Sequence, residues 1–233
     1  THLYRLAEFG RLAAGIFHDL INPLTAINAN LRQIEKTESG PAPIPSANLQ
    51  RALRATKRME DFVVTLKKQL KAESRVTAFS IEEEIKQVII LLNYPLTKNG
   101  LACDFKTTGA FWLTGDPIKF SQIIMNLTAN AIDSYSNKNG PHKAIEIRIK
   151  KHEQNILISV QDYGTGITDE NQAKIFEPFF STKPDKGLGI GLSAAKNIIE
   201  KDYGGQINFQ SQIGSGTKFT ISLPCKHESS KTH

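Results

Sequence analysis

Cysteine and long apolar runs are the scarcest features of this sequence. Only two cysteines, Cys103 and Cys225, occur among its 233 residues, which excludes a disulfide framework or a cysteine metal site and fits a reducing compartment best. The longest apolar run is Val88–Leu92, whereas a membrane-spanning helix needs about 20 residues. The first residues show no signal-peptide pattern, and because Thr1 already lies in a periodic segment we expect a fragment of a longer protein.

A sustained basic tract is also lacking, although the net charge is +6. The 29 lysines and arginines are dispersed along the chain with 23 acidic residues, a distribution typical of a solvated face. A nucleic-acid-binding function would rest on charge alone, so we expect no nucleic acid partner. The composition is instead that of an ordinary globular protein, with 39% hydrophobic residues, and the length allows one or two domains.

Residues 1–74 have the apolar periodicity of two helices. Apolar residues recur at steps of three and four from Leu6 to Ile34, and a second stripe runs from Leu49 to Leu70. A turn-rich break, SGPAPIPSAN, separates the two stripes. This pattern predicts an all-α helical hairpin. Because such narrow stripes bury little surface on their own, we expect a homodimer that completes a four-helix bundle.

A histidine, an acid and a proline stand together in GIFHDLINPLTAI, residues 15–27. Pro23 cannot donate a backbone hydrogen bond, which favours a kink that a plain core helix does not need. Ile16 and Leu20 belong to the apolar stripe, so His18 between them faces the opposite side and is expected to be exposed. An ordinary surface histidine and a reactive one both remain open at this point.

From residue 75 to residue 226 the pattern changes to alternating helices and strands. Ser80 and Glu83 form a capping box that opens a helix, and Asp116 with Pro117 marks the start of another over residues 117–135. A short strand is predicted just before Ser80, and the remaining predicted elements are a helix over 191–204 and strands over 101–108, 144–151, 155–162, 206–211 and 216–224. This order predicts an α/β sandwich, one mixed sheet covered by helices. Residues 227–233 are expected to form a tail.

Two clusters in this second part carry polar residues and glycines at suggestive spacing. Asn126 and Asn130 share one face of the predicted helix, and neutral amides there can hold a hydrated Mg²⁺ or phosphate oxygens. Asp162, at a strand end, can accept a hydrogen bond from an exocyclic amine. Gly164 and Gly166 allow the backbone to approach a ligand closely. Taken singly, solvent-facing amides and a capped turn explain these clusters equally well.

Two further clusters follow in FEPFFSTK, residues 176–183, and KGLGIGLSAAK, residues 186–196. The phenylalanines can anchor an otherwise mobile loop and leave Lys183 available for an anion. The second cluster places three glycines at a helix start, where backbone N–H groups bind phosphate readily. Its spacing matches neither the P-loop nor the dinucleotide-binding fingerprint. Each cluster alone is a weak signal, but the order of all four is a strong one.

Taken together, the motifs resemble those of bacterial two-component sensor histidine kinases over nearly all of residues 5–224. The matching segments are FHDLINPL for the phosphoacceptor box, NLTANA for the N box, DYGTGI and GLGIGL for the two glycine boxes and FEPFF for the F box. The resemblance implies a dimerisation and phosphoacceptor hairpin over residues 1–74. It implies a catalytic ATP-binding domain over residues 75–226.

The resemblance implies an ATP-dependent protein histidine kinase that phosphorylates itself and passes the phosphoryl group to an aspartate of a response regulator, which it is also able to dephosphorylate. His18 would be phosphorylated on a ring nitrogen, Asp19 would orient the imidazole and take up its proton, and Asn22 would help place a water for dephosphorylation. Asn22 is the nearer facing neighbour of His18 on a helix. Contact between Asp19 and His18 needs a favourable rotamer or the kink at Pro23.

ATP and Mg²⁺ are the implied cofactors, with Asn130 as the magnesium ligand, Asn126 beside it and Asp162 as the adenine-reading aspartate. The implied lid residues around the nucleotide are Gly164, Gly166, Gly187, Gly189 and Gly191, with Lys183 near the phosphates. The residue after Asp162 is often small or polar in the family and is Tyr163 here. The implied partners are a second copy of the chain and a receiver domain. The implied location is the cytoplasmic portion of a larger sensor that can be membrane-anchored at full length.

Two alternative functions compete with the kinase. A degenerate scaffold would bind nucleotide and signal by conformation without kinase activity, but the intact set of His18, Asp19, Asn130 and Asp162 argues against it. A related ATPase acting on DNA or client proteins should carry a further domain after residue 224, where only CKHESSKTH remains.

Overall fold

The computed structural model describes residues 24–25, 27–32, 49–53, 55–56, 75–135, 144–182 and 189–225. The chain divides into two compact units, Thr1–Ala72 and Glu73–His233, each considered by itself below. Five candidate site residues lie outside the described residues: His18, Asp19, Asn22, Lys183 and Gly187. The break at residues 39–48 lies outside them too.

The described residues of the first unit are all helical, and they expose leucines of the two apolar stripes. The exposed fractions are 46% for Leu24, 47% for Leu31, 46% for Leu49 and 60% for Leu53. The alanines at positions 52 and 55 are buried instead. The helical hairpin and its dimer stay predictions, and these leucines are apolar surface that a second helix pair would cover.

The second unit contains a five-stranded mixed sheet. Its strands are β2 (Ala102–Thr107), β4 (Ala144–His152), β5 (Asn155–Gln161), β6 (Gln206–Gln212) and β7 (Gly216–Pro224), in the spatial order β2-β4-β5-β7-β6. β2 and β4 are parallel, and the other neighbours are antiparallel. A separate antiparallel pair joins β1 (Thr77–Ser80) to β3 (Trp112–Gly115).

The described residues of this unit form five helices: α1 (Ile81–Leu91), α2 (Asn93–Lys98), α3 (Pro117–Asp133), α4 (Asp169–Gln172) and α5 (Gly191–Asp202). The predicted starts of α1 and α3 are confirmed. The Ser80 hydroxyl accepts a hydrogen bond from the Glu83 N–H at 3.4 Å, and the Asp116 carboxylate accepts one from the Ile118 N–H at 2.9 Å. Both side chains satisfy amide groups that have no partner inside the first helical turn.

Alternation along the strands places the core on one face of the sheet. Ile145, Ile147 and Ile149 of β4 are buried, and the residues between them are less so. α3 packs between α5 and α1 and also contacts β4 and β5, which gives the helix-covered sheet predicted for an α/β sandwich. Within the described ranges, no helix combines the length and apolar content needed to cross a bilayer.

Candidate functional site

Asp162 is the centre of a buried polar cluster at the end of β5. Its side chain is 3% exposed, and its Oδ1 accepts hydrogen bonds from the Gly164 N–H at 2.9 Å, the Thr217 N–H at 3.3 Å and the Ser134 hydroxyl at 2.9 Å. Charge-assisted bonds of this kind are shorter and stronger than neutral ones. The carboxylate is therefore held in one orientation by three different segments of the chain.

The segment that ends α3 is tied to the loop after β5 by backbone contacts as well. The Ser134 carbonyl accepts from the Thr165 N–H at 3.2 Å. The Tyr135 hydroxyl accepts from the Tyr163 N–H at 2.8 Å and donates to the Ala144 carbonyl at 2.6 Å. Burial raises the pKa of Tyr135 above its ordinary value, so its hydroxyl keeps the proton that this second bond requires.

The Tyr163 side chain points towards the sheet. Its hydroxyl donates to Oε1 of Glu146 at 3.0 Å, and Oε2 of Glu146 pairs with Arg148 at 3.0 Å. Burial and then the hydrogen bond to Glu146 raise the pKa of Tyr163. The large side chain of Tyr163 is therefore held by a hydrogen bond to a residue of β4.

The two asparagines of α3 have different environments. Asn126 is 2% exposed, and its side-chain Nδ2 donates to the Gly191 carbonyl at 3.0 Å, which links α3 to the first residue of α5. Asn130, one turn later, is partly buried. No hydrogen bond joins its side chain to any residue that the structure describes. The amide oxygen of Asn130 can therefore serve an external ligand.

The first turn of α5 supplies backbone donors. Gly191 is its first residue, and no side chain from the described part of the chain caps this end. The first N–H groups of a helix lack partners within the helix, and together with the helix dipole they favour an anion. The Asn126 contact fixes this helix end beside α3.

Gly164 and Gly166 are required where the loop after β5 approaches its neighbours. A Cβ at Gly164 would overlap the Ser134 hydroxyl and stand 2.8 Å from the Ser134 carbonyl carbon. Gly166 has a φ of +72°, and a Cβ there would overlap the carbonyl oxygen of Gln212. Side chains at either position would push the loop away from its neighbours.

Gly189 brings the third and fourth sequence clusters together. Its φ is +69°, and a Cβ there would lie 2.5 Å from the carbonyl oxygen of Phe180. Phe176 anchors the third cluster by edge contacts to Phe209 and Phe219, with ring centroids 5.9 and 6.4 Å away. Phe179, by contrast, is 75% exposed, so the aromatics do not anchor this loop as a group.

In the described residues no group of three or more histidine, cysteine or acidic side chains is placed to hold a metal ion. Mg²⁺ is commonly held by one or two protein oxygens together with substrate phosphates and water. The Asn130 amide oxygen fits that requirement, because it would share the ion with a phosphate rather than enclose it. Lys183 and Gly187 lie outside the described residues.

Residues that the sequence did not single out complete the site. Ser134, Tyr135 and Thr217 all hold the Asp162 loop. Ser134 and Tyr135 directly follow α3. Their closeness to Asn130 in the sequence could have identified them as candidate site residues. Thr217 is distant from these residues along the chain. Its place in the site could not be predicted from residue type, because it contributes a backbone N–H that any residue except proline could supply.

The chain is similar to proteins of one known family. Residues 115–227 match the family model described as histidine kinase-, DNA gyrase B-, and HSP90-like ATPase. Sporulation kinase C of Bacillus subtilis (strain 168) is 32% identical over 230 residues, which cover 97% of this chain and 51% of the relative. The chain thus spans about half the length of this curated relative.

Solved structures give the same result. The catalytic domain of histidine kinase ThkA is 31% identical with a TM-score of 0.57, and the match covers 64% of this chain and 95% of that domain. The structure of ThkA in complex with the response regulator TrrA matches with 26% identity and a TM-score of 0.54, covering 96% of this chain and 64% of that chain.

Proposed function

The chain belongs to the family of two-component sensor histidine kinases, and on that premise we propose that it transfers the γ-phosphoryl group of ATP to His18 and from there to an aspartate of a response regulator. We also propose that it dephosphorylates that regulator. The first transfer breaks the bond between the γ-phosphorus and the β,γ-bridging oxygen, forms a bond from the phosphorus to a ring nitrogen, and releases ADP. Asp19 takes up the proton that the ring nitrogen loses.

One observation carries the proposal: four clusters separated along the sequence meet around one site. Asp162 contacts Ser134 at the end of α3, Asn126 of α3 contacts Gly191 of α5, and Gly189 lies against Phe180. An acceptor suited to an exocyclic amine and a helix N-terminus suited to phosphate thus flank the same helix. Adenine and a triphosphate present that pair of chemical groups.

The roles of the described residues follow from their contacts. Asp162 accepts from the exocyclic amine of adenine, and the first turn of α5 donates backbone N–H groups to the phosphates. Asn130 offers its amide oxygen to Mg²⁺, which, when bound, neutralises phosphate charge. Phosphoryl transfer depends mainly on positioning and electrostatic stabilisation, so a carboxylate catalyst is not needed at the phosphates.

The proposed partners are a second copy of the chain and a receiver domain. The exposed leucines of the first unit, Leu24, Leu31, Leu49 and Leu53, support a homodimer, because they are apolar surface that a four-helix bundle would bury. The ThkA structure contains a response regulator, which supports a partner of the same class. The thiols of Cys103 and Cys225 are unpaired, which supports a reducing, cytoplasmic location.

Incubation with γ-labelled ATP and Mg²⁺ tests the kinase. We expect label on the protein that is stable to alkali and labile to acid, as a phosphorus–nitrogen bond to histidine would be, and complete loss of this label in His18→Gln. His152→Gln is the matched control, because His152 ends β4 on an exposed part of the sheet, and it should incorporate label like the wild type. Acid-stable label, or label retained in His18→Gln, would contradict the proposal.

The two residues beside His18 should separate the two activities. Asp19→Asn should slow label incorporation, because an amide is a poorer proton acceptor than a carboxylate. Asn22→Ala should incorporate label normally but remove it more slowly from a phosphorylated regulator, because hydrolysis needs a positioned water. Both assays are run on the same purified proteins. Slow incorporation in Asn22→Ala would show that these roles are wrongly assigned.

A further inference from the structure

Ser134 provides the only side-chain donor among the three described hydrogen bonds to Oδ1 of Asp162. The other two donors are the backbone N–H groups of Gly164 and Thr217, which nearly every residue type could supply. The Ser134 hydroxyl lies 2.9 Å from Oδ1 and comes from the end of α3, 28 positions earlier in the chain. A substitution at Ser134 therefore removes one hydrogen bond and leaves the two backbone bonds in place.

The Ser134 hydroxyl has one proton and two acceptors within reach. Its oxygen is 2.7 Å from the Ala131 carbonyl and 2.9 Å from Oδ1 of Asp162. The carbonyl of Ala131 already accepts from the Ser134 N–H, whereas a carboxylate is the stronger acceptor. The Ser134 hydroxyl is therefore expected to donate to Oδ1 of Asp162, and this hydrogen bond restrains rotation of the carboxylate.

Resting on the proposed function, we propose that Ser134 is a positioning residue that sets the preference of this site for a purine with an exocyclic amine. Its hydroxyl fixes Oδ1, and through Oδ1 it fixes the plane in which the carboxylate accepts from the base. Without the hydroxyl, two of the three described bonds to Oδ1 remain, and the carboxylate samples a wider range of orientations. The loss affects recognition of the base, because the described hydrogen bonds of the Ser134 side chain go to Ala131 and Asp162 and not to the residues proposed to hold the phosphates.

Two triphosphates that differ only at the amine test the inference. Dissociation constants are measured by calorimetry for ATP and for purine riboside triphosphate, which lacks the exocyclic amine. In Ser134→Ala we expect ATP to bind about fivefold more weakly, the typical effect of one hydrogen bond. Purine riboside triphosphate should bind within about twofold of the wild-type value, because it never used the carboxylate. The preference for ATP should therefore shrink.

A structural role would give a different result. If Ser134 served only to hold the end of α3, Ser134→Ala would weaken both triphosphates equally, and that result would overturn the inference. Ser134→Cys keeps a weak donor of similar shape, so its preference for ATP should lie between those of Ser134→Ala and the wild type. An unchanged preference in Ser134→Ala would overturn the inference as well.

The wild-type protein separates this inference from the proposed function. If the wild type bound neither triphosphate, the proposed function would fail, and the inference with it. If the wild type prefers ATP and the preference is unaffected by Ser134→Ala, only the inference fails. Ser159→Ala, a serine on β5 whose neighbours across the sheet are Arg148 and Thr220, is the matched control and should preserve both dissociation constants.

Discussion

Asn130→Asp is expected to lower label incorporation from γ-labelled ATP by at least about 100-fold, the scale of effect seen when an electrostatic contribution to group transfer is lost. The aspartate replaces a neutral oxygen ligand with a charged one, beside a triphosphate that is itself strongly negative. Repulsion between these charges competes with the attraction of Mg²⁺ for either group. The site would then bind the ion in a geometry that no longer serves the phosphate.

The control for this variant adds the same charge where no nucleotide is proposed to bind. Asn208 is exposed on β6, and Asn208→Asp should phosphorylate like the wild type. Circular dichroism should show that both variants keep the folded domain, because Asn130 forms no side-chain hydrogen bond within the described residues. Normal phosphorylation by Asn130→Asp would show that the magnesium ligand has been wrongly assigned.

The strands and helix starts of the second unit were predictable because their signals are local. β5 alternates between buried and less buried residues over its whole length, and β4 does so from Ala144 to Ile149. Such alternation is the signature of a strand with one face on a core. Ser80 and Asp116 cap the helices that follow them. Sequence predicted α3 to residue 135 and α5 to residue 204, whereas they end at Asp133 and Asp202.

Three short elements were missed for reasons that can be named. β3 has four residues, begins with the 65% exposed Trp112 and ends with a glycine, so it lacks the alternating hydrophobic pattern of a longer strand. α2 contains Pro95. Proline lacks the N–H needed for a helical hydrogen bond, so its presence argued against a helix at this position. α4 has four residues and none of them is buried, so the sequence has no apolar periodicity there from which a helix could be predicted.

The groups of the candidate site were predictable, but the contacts between them were not. Asn126, Asn130 and Asp162 were identified by residue type and spacing. The bonds from Ser134 to Asp162 and from Asn126 to Gly191 span 28 and 65 positions. Such separations leave no periodic trace in the sequence. In the sequence, Ser134 has no feature that distinguishes it from any serine after a helix. Its hydrogen bond to the Asp162 carboxylate is seen only in the folded structure.

Gly164→Ala should weaken ATP binding by about tenfold, since overpacking typically costs 1–3 kcal/mol and 1.4 kcal/mol is tenfold in affinity. The new Cβ would overlap the Ser134 hydroxyl and lie 2.8 Å from the Ser134 carbonyl carbon. The hydroxyl can rotate away, but the Cβ of Ser134, 2.5 Å from the new Cβ, and the backbone of Ser134 move only with the end of α3. The loop must therefore shift, and Asp162, which accepts from the Gly164 N–H, shifts with it.

A second variant separates the conflict with the Ser134 hydroxyl from the conflict with the remaining atoms of residue 134. The double variant Ser134→Ala/Gly164→Ala removes the hydroxyl but leaves the Cβ and the carbonyl carbon of residue 134, which lie 2.5 and 2.8 Å from the new Cβ, so it should bind ATP no better than Gly164→Ala. Gly109→Ala is the matched control, because a Cβ there would approach nothing closer than the Phe111 ring at 3.8 Å, and it should bind ATP normally. Full recovery in the double variant would show that the hydroxyl alone requires a glycine at position 164. Wild-type affinity in Gly164→Ala would show that the Asp162 loop does not need this close approach to bind ATP.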